Sequence, residues 1–382
     1  MGKKLALYTF IDAFGWKIYQ HYGFLENVII NSRKLRNTFG FSSAADPSIL
    51  TGRYPDEHTH WSSFFYSPET SPFKLLQYLS FLPRSVFDRG RVRHWISKIL
   101  VKFYGYTGYF EIYSMPLKHI KYFDYLEKRD YFVPGGILKT DTIFDYCIEN
   151  KIPYFCSNWR LSEEKNLEIA KQKIKEGNIE FLYLYLPKLD GVMHAFGTRN
   201  PKVEEKIRSL ENEISEVLKT ANQVYDDVSF YVFSDHGMTD VSGTVDIISK
   251  IESTNLKFGT DYVAMYDSTM ARFWFLKEGA RKIIEKELKK IEQGYIISDE
   301  ELKKMHVYFS DHKFGDLFFL MKPGILIVPS FMGLKALSGM HGYHPKDENS
   351  YAFIGSNKKI PKHINSITDI RKTMENELTY GK

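Results

Sequence analysis

The stretch Val228-Ser-Phe-Tyr-Val-Phe-Ser-Asp-His-Gly-Met238 constrains the fold more than any other, because an apolar run of strand character ends in two adjacent residues of metal-binding type, Asp235 and His236. A buried carboxylate and imidazole are costly unless they are paired or bound to a cation. Gly237 is expected to let the chain turn away from the strand end. Two further apolar runs end alike: the opening run leads from Leu5 through Ile11 into Asp12, and Phe181 to Leu186 leads into Pro-Lys-Leu-Asp190-Gly-Val-Met-His194. Ligand sites of open α/β sheets lie at the carboxyl ends of their strands, so this pattern predicts an α/β core.

The C-terminal part of the chain alternates strand-like and helix-like patterns in the order such a sheet requires. Helices are expected over residues 142–150, 162–177 and 201–227, the last with an apolar stripe through Val203, Ile207, Leu210, Ile214 and Leu218. Strands are expected over 153–156, 181–186 and 228–233. Between Trp61 and Phe132 the composition turns aromatic, with Phe64-Phe-Tyr66, Phe103-Tyr-Gly-Tyr106 and Tyr122-Phe-Asp-Tyr125. This block also holds Arg84, Arg89, Arg91, Arg93, Lys98 and Lys102 around the apolar stretch from Trp95 to Val101. It is expected to form a small helical cap, residues 61–137, inserted in a core of residues 1–60 and 138–382. Its basic and apolar residues suit solvated faces, an anionic substrate or peripheral contact with a membrane.

With 382 residues, 43% of them hydrophobic, the chain can bury a large core, and a net charge of +5 does not announce a nucleic-acid polymer as partner. Its two cysteines, Cys147 and Cys156, look like buried small residues rather than a disulfide framework, which fits a reducing compartment. Asp12 interrupts the N-terminal apolar run too early for a signal peptide, and Lys322 and Pro323 break the stretch from Leu317 to Met332. The expectation is a cytoplasmic protein with no transmembrane segment. Oligomeric state is not legible.

Asp190 and His194, four apart, would share one face if a helical turn begins at Asp190, and could bind one metal. His341 lies between glycines in Gly339-Met-His-Gly-Tyr343. Taken singly, Asp12 reads as a turn cap and His341 as a loop histidine. Together, four separate loops offer ligands, and most follow core strands. Ser42 and Ser43 stand before a short helical run in Gly40-Phe-Ser-Ser-Ala-Ala-Asp-Pro-Ser-Ile-Leu-Thr51-Gly-Arg-Tyr-Pro55. A serine at a helix N-terminus is either a plain N-cap or, beside a metal, a nucleophile. His58 and His60, and the turn around Asp267 and Arg272, read as structural; Asn158 and Trp159 are at most residues of a pocket wall.

The order Asp12, Ser42, Asp190-x-x-x-His194, Asp235-His236, His341 resembles the alkaline phosphatase superfamily, and within it the type I phosphodiesterase/nucleotide pyrophosphatase family. Leu50-Thr-Gly-Arg-Tyr-Pro-Asp-Glu-His58, Phe314-Gly-Asp-Leu-Phe-Phe-Leu-Met-Lys-Pro-Gly324 and His341-Gly-Tyr343 are similar to that family too. The resemblance covers Lys4 to about Tyr343, leaving out the aromatic block. It implies a three-layer α/β/α sandwich around a large, mostly parallel sheet. It also implies two divalent metal ions, usually zinc, with manganese or magnesium as alternatives. Asp190, His194 and His341 would hold one, and Asp12, Asp235 and His236 the other, with the Ser42 oxygen bridging toward it.

In relatives the nucleophile stands nine residues before the Thr of a Thr-Gly pair, which nominates Ser42, counting back from Thr51. The local Ser43-Ala-Ala45 is similar to alkaline phosphatases themselves and nominates Ser43 as second choice. Ala44 replaces a common Pro, and His344 replaces the Asp of His-Gly-Tyr-Asp. The implied activity is hydrolysis of a small phosphate ester, a nucleotide, lipid or glycan phosphate, through a phosphoseryl intermediate. A phosphodiesterase is favoured over a phosphomonoesterase or a phospho-group transferase. A sulfatase is disfavoured because Ser42-Ser-Ala-Ala-Asp46 lacks the Pro and Arg of the sulfatase context, and a non-catalytic binder is the competing class.

Overall fold

The computed structural model describes residues 2–81 and 89–379, so Arg84 lies outside the described residues. Its central element is a six-stranded sheet in the order Asn31–Leu35, Ala352–Ser356, Asp227–Phe233, Lys4–Ile11, Phe181–Leu186, Tyr154–Cys156. The last four of these strands run parallel, while Ala352–Ser356 is antiparallel to both of its neighbours.

Strand alternation sorts the side chains of this sheet into two unlike faces. Leu5, Leu7, Leu182, Leu184, Leu186, Val228 and Val232 form a largely aliphatic face, covered by helices Glu163–Glu176 and Pro201–Val224. Tyr8, Phe10, Phe181, Tyr183, Tyr231 and Phe233 form an aromatic face, covered by helices Ser42–Thr51, Ile143–Glu149 and Ile370–Thr379. Tyr8 stacks on Tyr231 at 4.6 Å and Phe10 on Phe233 at 5.3 Å, ring pairs that tie adjacent strands together. The result is the expected three-layer α/β/α sandwich. The Pro201–Val224 helix alone buries Val203, Ile207, Leu210, Ile214, Val217, Leu218 and Ala221. That is on the order of 10 kcal/mol of gross apolar burial before the entropy of ordering is subtracted.

This helix is shorter than the expected 201–227. Tyr225 is extended (φ −112°, ψ 139°), and the Asp226 and Asp227 N–H groups donate to the Lys3 carbonyl, so the sheet captures these residues. Elsewhere the expected limits hold closely: Thr142 caps Ile143–Glu149, and Ser162 and Gly177 bracket Glu163–Glu176.

A second sheet was not expected. Tyr262–Tyr266, Met270–Phe275, Leu317–Met321 and Gly294–Ile297 form an antiparallel four-stranded sheet. Its core is shared with the aromatic block, whose Phe64, Phe73, Leu100, Phe110, Ile112 and Phe123 pack with Val263, Phe273 and Phe319. The block contains the helix Gly90–Tyr104 and a two-stranded ribbon, Phe64–Tyr66 with Phe123–Tyr125. Arg93, expected on a solvated face, is instead buried and donates to the Met115 carbonyl. Among the described residues, no helix is long and apolar enough to cross a membrane.

Candidate metal centre and active-site cavity

Strands ending in Leu186, Ile11 and Phe233 lie side by side, and the residues after their carboxyl ends meet His341, which follows the short strand Gly339–Met340, in two groups. Asp12, Asp235 and His236 form one, and Asp190, His194 and His341 the other, with the ligand atoms of each group within 4.8 Å of one another. In the first, His236 Nε2 lies 2.9 Å from Asp235 Oδ2 and 3.7 Å from Asp12 Oδ1. In the second, Asp190 Oδ2 is 3.2 Å from His194 Nε2 and Asp190 Oδ1 is 3.6 Å from His341 Nε2. The His236 and His341 rings stack at 3.8 Å and join the groups.

Local backbone chemistry aims these side chains. The helix carrying Asp190 and His194 begins at Lys188, two residues earlier than expected, which keeps the pair on one face. His194 Nδ1 sits 2.8 Å from the Gly339 carbonyl, leaving Nε2 toward the centre. Ala13 adopts φ 61°, a strained value for a residue with a side chain, and its N–H donates to Asp235 Oδ1 at 3.2 Å. Gly237 is required for space rather than for the turn expected of it. A Cβ there would lie 2.0 Å from the Asn349 carbonyl oxygen, and one on Gly15 would lie 2.3 Å from Gly237 Cα.

Asp12 Oδ1, Asp190 Oδ1, Asp235 Oδ2 and His236 Nε2 are buried and have no hydrogen-bond partner. The short His236–Asp235 contact therefore lacks hydrogen-bonding geometry. Asp235 is 0% and His236 2% exposed, so water does not compensate these atoms, and a cation would. Burial and the nearby Asp235 and Asp190 carboxylates push the Asp12 carboxyl well above its ordinary range. Its other oxygen accepts from Tyr185 Oη at 2.9 Å. Burial drives His341 well below its usual value, as do the adjoining His236 and His194 rings. The residues thus fit two divalent cations in composition, proximity and unmet polar demand.

Asp12, Asp190, His194 and His341 open onto a cavity of about 630 Å³ that Ser42 and Ser43 also line. Both serines lie in the first turn of Ser42–Thr51, and Phe41 occupies the cap position without a side-chain cap, so neither serine is an N-cap. Ser43 Oγ is buried and donates to the Trp61 carbonyl at 3.2 Å. No such bond engages Ser42 Oγ among the described residues. Asp46, one turn after Ser42, lines the same cavity and has an unpartnered buried oxygen. Burial, with Asp235 and Glu127 nearby, pushes its carboxyl well up. Burial likewise raises Glu127, which accepts from Ser63, to about 7.

Asp46, Glu127 and Tyr185 escape the sequence reading. The spacing of four from Ser42 could have found Asp46, and strand alternation Tyr185; Glu127 has no local signal. Trp159 lines the cavity together with Tyr109, Tyr113 and Phe132, whereas Asn158, His58 and His60 do not. His58 is buried and bonded to Ser48, and His60 to the His58 carbonyl. Asp267 does line the wall, held at 2.9 Å by the wholly buried Arg272. His344 pairs with Glu301 away from the cavity.

The profile of type I phosphodiesterases/nucleotide pyrophosphatases matches residues 31–344. The chain belongs to this family. It is accordingly a hydrolase of phosphoric esters within the alkaline phosphatase superfamily. Murine ectonucleotide pyrophosphatase/phosphodiesterase 5 has a similar fold, with a TM-score of 0.70 at 15% identity, over 98% of this chain and 95% of that one. The same values hold for an inactive threonine-to-alanine variant of the murine protein in complex with AMP. The human counterpart matches with a TM-score of 0.69 at 13% identity over the same shares. Asp12 precedes the matched segment and lies beside Asp235 and His236.

Proposed function

We propose that this phosphodiesterase family member cleaves small phosphodiesters through a phosphoseryl intermediate on Ser42, with two divalent cations, zinc first, held by the two ligand groups. The observation that carries this reading is the pair of three-residue clusters with orphaned buried ligand atoms, opening on the cavity that Ser42 lines. Cations bound there would lower the pKa of the serine hydroxyl and offset charge on the departing oxygen.

The chain's own residues supply the rest. Ser42 Oγ forms the bond to phosphorus as one ester P–O bond breaks, so the phosphoryl group on Ser42 keeps the second ester substituent; the serine proton passes to solvent, and the leaving alcohol takes up a proton. Water then attacks phosphorus and restores Ser42. The Ser42 and Ser43 N–H groups have no acceptor within the helix, and the helix N-terminus favours negative charge on a phosphoryl oxygen. Ser43 is better suited to fix this turn, since its hydroxyl is already committed to Trp61. Ser42 is therefore the preferred nucleophile.

A cavity of about 630 Å³ accommodates substituents on both sides of a phosphate, which favours diesters over monoesters. Residues 61–137, which supply Tyr109, Tyr113, Glu127 and Phe132 to its wall, act in this reading as a cap within a core of residues 1–60 and 138–382. The AMP complex of the murine relative makes nucleotides the first substrates to try. The test compares bis(p-nitrophenyl) phosphate, p-nitrophenyl phosphate and p-nitrophenyl sulfate with zinc or manganese supplied. Preference for the diester supports the reading, and faster turnover of the monoester or the sulfate overturns it.

A further inference from the structure

We propose that the outer face of helix Gly90–Tyr104 docks the protein on an anionic lipid surface. In Gly-Arg-Val-Arg-His-Trp-Ile-Ser-Lys-Ile-Leu-Val-Lys-Phe-Tyr apolar residues occupy the outward side as well as the inward one. The inward side is formed by Arg93, Ser97 and Leu100, all buried, with Ile96 and Val101 packed against the core. The outward side carries large apolar residues at a spacing of four: Trp95 at 69%, Ile99 at 55% and Phe103 at 77% exposure. Such spacing places the three on one stripe of the helix. Leu75 and Tyr78 are 73% and 67% exposed on a stretch whose start is joined to the helix end, where Tyr104 Oη donates to the Pro72 carbonyl.

Charge decides what this stripe meets. Arg91, Lys98 and Lys102 lie along its flank, all exposed and without an ion pair among the described residues. The helix contains no Asp or Glu, and the nearby Glu111 is already taken by His94 at 3.1 Å and Ser97 at 2.7 Å. Apolar residues that enter the acyl boundary, bordered by cations that stay among anionic headgroups, are what interfacial binding requires. A second copy suits the face poorly. Twofold pairing of this helix would set an unpaired basic flank against its like across a narrow apolar strip. The chain runs from this helix directly to Gly108, Tyr109 and Tyr113 in the cavity wall, so a docked molecule would hold its substrate cavity near the lipid surface.

The test is cosedimentation of the full-length protein with vesicles of phosphatidylcholine alone or mixed with phosphatidylglycerol. The proposal expects retention on the mixed vesicles, weakened by salt. Lys98→Gln with Lys102→Gln should cut the partition coefficient by about 25-fold, at about fivefold per cation. Trp95→Ser with Ile99→Ser and Phe103→Ser should abolish retention while leaving the melting temperature unchanged, since these side chains touch mainly solvent. Failure of the wild type to bind the mixed vesicles, or binding indifferent to both sets of substitutions, overturns the proposal. Self-association that the triple substitution disperses, without vesicle binding, assigns the face to a second copy instead.

Discussion

Arg272 is wholly buried, and its loss should be among the most damaging single changes outside the cavity itself. Its guanidinium donates to Asp267 at 2.9 Å, to the Phe64 and Phe314 carbonyls at 3.1 and 3.2 Å, and to Ser62 Oγ at 2.9 Å. It also lies within 6 Å of the Trp61 and Trp274 rings. One side chain thus ties the four-stranded sheet to the segment that carries Ser62 and Ser63 into the cavity wall. Arg272→Met keeps much of the volume but strands a buried carboxylate and three acceptors. Breaking a buried pair from one side costs about 3–5 kcal/mol. At about 2.1 cal/mol/K per residue, cooperative unfolding of 382 residues carries an entropy of about 0.8 kcal/mol/K, so 4 kcal/mol lowers Tm by about 5 °C. Adding Asp267→Asn removes the stranded charge and should recover about 2 °C. Arg272→Lys should not rescue, because an ammonium cannot span the guanidinium's fork of partners. Differential scanning calorimetry of the four proteins decides it: a drop under about 1 °C for Arg272→Met, or no recovery on adding Asp267→Asn, refutes the reasoning.

Two further outcomes concern pH and metal. Burial and then His60 lower the His58 pKa from its ordinary 6.5 to about 3, so protonation favours the unfolded chain; the His58 contribution is complete above pH 6.5 and is lost as pH falls toward 3. The loss is about 2 kcal/mol at pH 5, and denaturation curves of His58→Gln should show an acid limb shallower by that amount, whereas parallel limbs would contradict it. Exhaustive chelation should lower Tm reversibly, with zinc or manganese restoring it, and Asp235→Asn should halve the bound metal measured by elemental analysis; a Tm unmoved by chelation would remove the cation role assigned to the orphaned ligand atoms.

The parts of this molecule legible in the sequence are those where one local pattern answers to one physical demand. Continuous apolar runs and the helical stripe through Val203 and Leu210 foretold the central sheet and its covering helix, because burial on both faces of a strand and on one face of a helix imposes those patterns. Asp12, Asp190, Asp235 and their histidines were legible because packing alone seldom sets charged ligands directly after apolar strands. What was hidden depends on contacts distant in sequence. Arg272 looked like a turn residue, yet its partners Ser62 and Phe64 lie more than 200 residues away. Arg93 looked solvated, and only the fold reveals the Met115 carbonyl that lets it be buried. Gly237 looked like a turn, while its need for a missing side chain comes from Asn349 on another loop. Glu127 enters the cavity just past the short ribbon strand Phe123–Tyr125, inside the aromatic block rather than at the end of a core strand.

The central claim, a phosphoryl group carried by Ser42, is tested most directly by comparing kcat of Ser42→Ala and Ser43→Ala on the same diester, with intact mass measured after rapid acid quench. Losing the nucleophile should lower kcat by at least about 10³-fold and abolish the phosphoprotein, whose added mass from a diester is the phosphoryl group with its remaining ester substituent. Loss of the Ser43–Trp61 bond costs only about 1 kcal/mol of positioning, roughly a tenfold effect at most. The account predicts a dead Ser42→Ala and a working Ser43→Ala that still accumulates phosphoprotein, and the reverse pattern would contradict it.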